Sequence, residues 1–148
     1  LRCVNYMDAI ARKTETKTGL GFTKNLRKNS DKEHLAQTAV ELAESLEAKG
    51  IVVVTRHGIM ANFVTNCHPQ RSPIFAFTNV GVTRRIMTMN RYVYPFKIEF
   101  SKDPEETLSR AFRELKDKAG YASADKVVVI SDLLIDQDTV GIQIRYLP

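Results

Sequence analysis

The stretch GIVVVTRHGIMA, residues 50–61, sets the reading of the whole chain. Gly50 stands where a helix is expected to end on a glycine. Ile51–Val54 is a run of four apolar β-branched residues without polar alternation, the pattern of a parallel strand buried on both faces. Thr55, Arg56, His57 and Gly58 then make a tight turn, and a helix starts near Ile59. Strand, glycine-bearing turn and helix N-terminus in that order set unpaired backbone N–H groups at the carboxyl edge of a sheet. Open α/β folds bind ligands there, and an anion is favoured.

Working outward, helix and strand signals alternate. Residues 2–17 read as an amphipathic helix with Val4, Met7, Ile10 and Ala11 on one side. Residues 18–30 carry no periodicity and read as a linker. Ser30 and Glu33 form a capping box, opening a helix with Leu35, Ala39, Leu42 and Leu46 on its apolar face. After the central stretch, Pro69 and Pro73 bracket a connection to a second buried strand, Ile74–Phe77. Asn79 is placed to cap a short helix with Val82, Ile86 and Met89 as its apolar residues. Phe96, Ile98 and Phe100 alternate with Lys97 and Glu99, which predicts a third strand over 96–100. Asp103, Pro104 and Glu106 fit the cap, N1 and N3 positions of a helix whose apolar face is Leu108, Phe112, Leu115 and Ala119, ended by Gly120.

Val127–Ile130 reads as a fourth buried strand, and residues 131–138 as a loop with the three acids Asp132, Asp136 and Asp138. Val140, Ile142, Ile144 and Tyr146 then alternate with more polar positions, as in an edge strand with one buried face. Helices alternating with strands predict a parallel sheet covered on both faces. The last strand follows without a crossover helix and should be antiparallel. The expected fold is therefore α/β: a three-layer αβα domain over residues 31–148, with four parallel strands and an antiparallel last edge strand, preceded by a leading helix and linker over 1–30.

Composition narrows the function classes. The 148 residues are enough for one domain with a real core, at 43% hydrophobic and 26% charged content. No apolar run approaches the ~20 residues that span a bilayer, so no membrane role is expected. The opening at Leu1, without Met and in what reads as mid-helix, suggests a piece of a longer protein. Cys3 and Cys67 have no metal or redox spacing and read as reduced thiols of a cytoplasmic protein. Residues 1–30 carry seven basic and two acidic side chains, residues 31–148 fifteen of each. The basic arm has only Tyr6 and Phe22 to stack on bases and no nucleic-acid motif, so a solvated face is the better reading and no nucleic-acid partner is expected. His34 reads as solvated on its helix, and His68 as a loop residue.

Taken together, these segments resemble the C-terminal domain of pyruvate kinase. Residues 3–16 resemble the helix that leads from the catalytic barrel into that domain. Thr55, Gly58 and Ala61 match the family's strand–turn–helix segment, with His57 and Met60 where hydroxyl residues usually stand. Residues 69–78, the run Thr83–Met89 with Val93-Tyr94-Pro95, and Thr139–Ile144 resemble further family segments, in order and spacing. The resemblance implies the same mixed five-stranded αβα sheet.

It also implies a role. In the family, the barrel transfers phosphate from phosphoenolpyruvate to ADP in glycolysis with magnesium and potassium, and the C-terminal domain serves regulation and assembly. This chain would then carry no cofactor and no catalytic residue, and would be inactive without the parent barrel. By position, an effector phosphate would lie against Thr55, Arg56, His57, Gly58, Ile59 and Met60. Ile142, Ile144 and Tyr146 would be the oligomer contact of a dimer or tetramer. Asp132, Asp136 and Asp138 would repel a sugar bisphosphate. That leaves a different phosphorylated effector, or a turn kept for packing alone. A stand-alone phosphate-binding module of the same fold is the alternative. A receiver-like domain would need acids at the end of the first strand, where Arg56 and His57 stand.

Overall fold

The computed structural model describes residues 2–15, 30–134 and 139–148. The expected linker over 18–29 and the loop residues 135–138 lie outside the described residues. Among the described residues, five helices and five strands follow in the order α1 (Arg2–Glu15), α2 (Asp31–Ser45), β1 (Gly50–Val54), α3 (Ile59–Asn66), β2 (Ile74–Thr78), α4 (Gly81–Met87), β3 (Val93–Lys97), α5 (Pro104–Ala119), β4 (Lys126–Leu134) and β5 (Thr139–Tyr146).

The sheet order is β3-β2-β1-β4-β5, with β1 at the centre. Strands β1, β2, β3 and β4 run parallel, and β5 closes the edge antiparallel to β4. Two cores lie on the two faces. Ile51, Val53, Ile74, Ala76, Val128 and Ile130 face α2 and α3. Val52, Val54, Phe75, Phe77, Val127 and Val129 face α5. This is the αβα sandwich with an antiparallel last edge strand that the periodicity predicts.

Local signals held where they were strong. Ser30 Oγ caps α2 by accepting from Glu33 N–H. Asp103 accepts from Glu105 N–H at 2.9 Å, and Gly120 ends α5 with φ 69°. Leu108, Phe112 and Leu115 are buried under β1 and β4, as predicted. Helix α2 approaches the sheet through Ala36, Ala39, Val40 and Ala43, with Leu35 and Leu42 flanking that contact. Small side chains let the helix backbone come close to the sheet.

Five expectations are corrected. Gly50 does not end a helix: α2 stops at Ser45, Glu47 takes the positive φ of 50°, and Gly50 is the first residue of β1. Asn79 is not a cap: α4 begins after Val80, whose N–H is held by Thr78 Oγ1 at 3.2 Å. Val82, Ile86 and Met89 are exposed, and α4 buries Thr83 and Met87 instead. Strand β3 lies at 93–97 rather than 96–100, around Pro95. Proline is tolerated there because β3 is a sheet edge. Residues 131–134 continue β4 past an irregularity between Ser131 and Leu134 instead of forming a loop.

Gly50 is needed at its place by contact rather than by dihedral angle. A Cβ there would lie 2.4 Å from Tyr121 Oη, 3.0 Å from Phe75 Cε2 and 3.1 Å from the Pro73 carbonyl oxygen. Tyr121 fills the gap: its hydroxyl donates to the Lys49 carbonyl at 2.7 Å, and its ring meets Phe75 edge-on at 5.3 Å. Burial, with the Asp125 charge nearby, pushes its phenol well above the usual range. Lys49 Nζ lies 4.7 Å from the Tyr121 ring centre and donates to Asp125 at 2.5 Å. Those hydrogen bonds, from Lys49 and then from Ala122 N–H, hold the Asp125 carboxyl below its ordinary range.

Two predictions follow from this end of the sheet. Gly50→Ala should destabilise the fold by about 1–3 kcal/mol in urea unfolding through overpacking. In the Tyr121→Phe background the loss should shrink, because the nearest clashing atom is gone; equal losses in both backgrounds would refute the contact. Asp125 contributes stability above the ordinary aspartate pKa and loses it as pH falls through its lowered folded value. The stability gap between wild type and Asp125→Asn should therefore be open at pH 7 and close below about pH 4, read from unfolding midpoints across pH.

Candidate functional site

The chain leaves β1 toward β2 and β3 on one side, then returns to β4 on the other. The carboxyl ends of β1 and β4 therefore flank the point where the strand order reverses, with Val54 paired to Ser131. Ligand crevices of open α/β sheets form at such points. The turn Thr55–Gly58 sits there.

Two buried threonines fasten the turn. Thr55 extends the ladder by donating its N–H to the Phe77 carbonyl at 2.9 Å, and its hydroxyl accepts from Gly58 N–H at 3.1 Å. Thr78 at the end of β2 donates its hydroxyl to the Arg56 carbonyl at 3.2 Å. Gly58 is the N-cap of α3 with φ 80°, a left-handed conformation that favours glycine. A Cβ there would lie 3.2 Å from both Met87 Cγ and Thr83 Cγ2. The turn is thus pressed against α4 from below.

The six residues expected to cradle a phosphate divide in two. Thr55 and Met60 are turned into the fold, at 0% and 1% exposure, and Gly58 is buried with its N–H engaged by Thr55. Arg56, His57 and Ile59 face solvent. Helix α3 has no side-chain cap. The first N–H groups of a helix have no partner within it. The outward part of the turn therefore combines uncapped helix donors with a guanidinium and an imidazole, an arrangement that can hold an anion. Arg84 and Arg85 are exposed on the neighbouring α4. Asn79, one residue past β2, has a buried Oδ1 without a hydrogen-bond partner, a feature that no local sequence signal marks. Among the described residues, no group of three or more His, Cys, Asp or Glu is placed to hold a metal ion.

At the far edge, Ile142 packs against the α2 core, while Ile144 and Tyr146 on the same strand face are exposed. Arg145 points to the other face and pairs with Glu105 of α5.

Residues 33–141 match the family model described as the pyruvate kinase alpha/beta domain. The chain belongs to that family. A chloroplastic pyruvate kinase isozyme A from Nicotiana tabacum is 34% identical over 106 residues, which cover 72% of this chain and 18% of the relative. A chloroplastic isozyme G from Ricinus communis is 32% identical over 152 aligned positions, covering 98% of this chain and 36% of the relative. The structure of Cryptosporidium parvum pyruvate kinase in complex with ADP superposes with a TM-score of 0.74 at 22% identity, covering 83% of this chain and 25% of that one. The pyruvate kinase alpha/beta fold is thus shared. This chain spans only about a fifth to a third of the length of these curated relatives. Among the described residues, no helix is long and apolar enough to cross a membrane.

The turn makes a direct prediction. Gly58→Ala should cost about 1–3 kcal/mol, because it combines a left-handed φ with crowding against α4. Thr55→Val should cost about 1–3 kcal/mol by leaving Gly58 N–H buried without its acceptor. Arg56→Ala and His57→Ala, both exposed, should change stability by less than about 0.5 kcal/mol. Thermal unfolding of the four variants checks the division; a large loss for Arg56→Ala would place that side chain inside the fold's supporting network.

Proposed function

We propose that this chain is the regulatory and assembly domain of a pyruvate kinase and has no phosphoryl-transfer activity by itself. One observation carries the reading: the family match extends over residues 33–141, yet the chain corresponds to only 18–36% of the curated relatives. Phosphoryl transfer needs cations positioned around the moving group. In this reading the parent's other domain supplies them, with its divalent metal and potassium. The plastid names of the relatives favour a plastid enzyme over the cytoplasmic one expected from the reduced thiols.

The assembly role is supported by β5. It is an outer strand of the sheet, with Ile144 and Tyr146 exposed beside the α2 face. Edge strands with apolar neighbours invite pairing with a second copy. The regulatory role is supported by the outward half of the turn, where Arg56, His57 and the uncapped α3 meet at the switch point. A monophosphorylated effector suits it better than a bisphosphate, because Asp132 near the end of β4 and Asp136 and Asp138 beyond it in sequence add negative charge.

The test uses the 148-residue chain directly. No pyruvate should form from phosphoenolpyruvate and ADP. Sedimentation should show a dimer, and Tyr146→Glu should return it to monomer. Inorganic phosphate, AMP or a sugar monophosphate should raise the unfolding midpoint, by about 2.7 kcal/mol at 100 times its Kd. Arg56→Ala should abolish that shift. A monomer that responds to none of these ligands would overturn both roles.

A further inference from the structure

The amino end of the sheet carries an anion site that the chain fills itself. β1 and β2 run parallel, so the connection from α3 to β2, residues 67–73, lies at the end of the sheet opposite to the turn that follows β1. In this connection the N–H groups of Gln70 and Arg71 both donate to one oxygen, Glu44 Oε1 of α2, each at 2.9 Å. Successive main-chain N–H groups that converge on one point form a nest, a concavity that attracts anions. The half-buried Glu44 carboxylate is the anion that occupies it.

The residues on either side fix the nest. His68 takes a left-handed conformation, φ 51°, and donates its N–H to the Thr65 carbonyl at 3.0 Å. Its own carbonyl accepts from Gln70 Nε2 at 2.8 Å, and Pro69 is buried. Beyond the nest, buried Ser72 donates its hydroxyl to the Ala48 carbonyl at 3.2 Å. The Pro73 carbonyl then accepts from Ile51 N–H at 2.8 Å. The two N–H groups are thus held from both sides by contacts that Glu44 does not make.

The charge of the connection suits more than one carboxylate. Residues 67–73 contain His68 and Arg71 and no acid. Both side chains are exposed, and among the described residues neither makes a hydrogen bond or an ion pair. Glu44 offers a single oxygen to two donors. A doubly charged oxyanion can give one oxygen to each N–H and a further one to a guanidinium, the side chain whose fork matches phosphate.

We propose that residues 68–71 form a second oxyanion site, for a doubly charged phosphoryl group, and that Glu44 is its resident plug. Ligand and plug compete for the same two N–H groups. The site therefore opens only when the last turn of α2 gives up that contact. A carboxylate tethered in the same chain competes at an effective concentration on the order of millimolar. Phosphate must accordingly reach millimolar levels to enter the wild-type site, and far less once the plug is gone. This site is separate from the turn at Arg56 and His57 and does not depend on the role proposed for that turn.

The experiment titrates the 148-residue chain with inorganic phosphate at constant ionic strength and follows the amide NMR signals of Gln70 and Arg71. In Glu44→Ala, checked by circular dichroism, both signals should move, with a Kd lower than in wild type by about tenfold or more. Glu44→Gln, which keeps an acceptor without the charge, should fall between the two and serves if Glu44→Ala does not fold. Adding Arg71→Ala to either variant should weaken binding by about tenfold. Arg56→Ala, at the other end of the sheet, should leave the response of these two signals unchanged. Signals that stay still in both Glu44 variants overturn the site, whatever phosphate does at the turn. Equal Kd values with and without Glu44 overturn the plug. Movement that Arg71→Ala leaves intact, or that chloride reproduces, reduces the response to unspecific anion binding and overturns the proposal as well.

Discussion

Everything in this domain is arranged around a strand that has no contact with water on either face. β1 pairs on both sides, with β2 and with β4, and its five residues are all buried. A strand in that position must be apolar at every residue, so it cannot carry chemistry along its length. Function is forced to its ends. At the amino end, Gly50 gives up its side chain so that the Tyr121 hydroxyl can reach the Lys49 carbonyl. At the carboxyl end, Thr55 spends its hydroxyl on Gly58, and this buried bond lets the chain reverse into α3 without leaving an orphan donor.

The carboxyl edge then inherits its properties from the way the turn is fastened. Thr55 and Thr78 hold it from within through backbone groups, which leaves the side chains of Arg56 and His57 turned to solvent. Gly58 packs on α4 so closely that a Cβ there would crowd Thr83 and Met87. The other sheet edge is different in character: β5 is joined to α5 by the Arg145–Glu105 pair and offers Ile144 and Tyr146 on the face beside α2. β5 lies two strands from β1, whose carboxyl end carries the turn.

Much of this was legible in the sequence, and the exceptions share a cause. β1, α3, β2 and α5 were read closely because their signals are local: an apolar run, a cap, a glycine at positive φ. The turn itself was legible as a segment. Its division into inward Thr55 and Met60 and outward Arg56, His57 and Ile59 was not, since it depends on the packing of Gly58 against Thr83 and Met87, 25 and 29 residues away. Periodicity located apolar residues on α4 but assigned them to the core, because spacing alone does not say which stripe meets the sheet. β3 was placed three residues late since Pro95 argues against a strand unless that strand is known to be an edge. Gly50 was misread because a glycine that ends a helix and one that admits a neighbouring ring look alike in sequence. Glu47, taking the left-handed position in its place, gives no compositional signal at all.

The proximity of the turn to α4 has a mechanical consequence for the proposed role. Ile59 is the first residue of α3 and follows Gly58 directly, and Gly58 touches the buried side of α4. An anion drawn to Arg56 and His57 therefore acts directly beside Gly58. In a close-packed contact, a shift of a few tenths of an ångström at Gly58 must be taken up by Thr83 and Met87, since the space between them is already filled. An effector held at the turn would therefore be felt first at α4, the helix that Gly58 touches, and not along a pathway through the sheet.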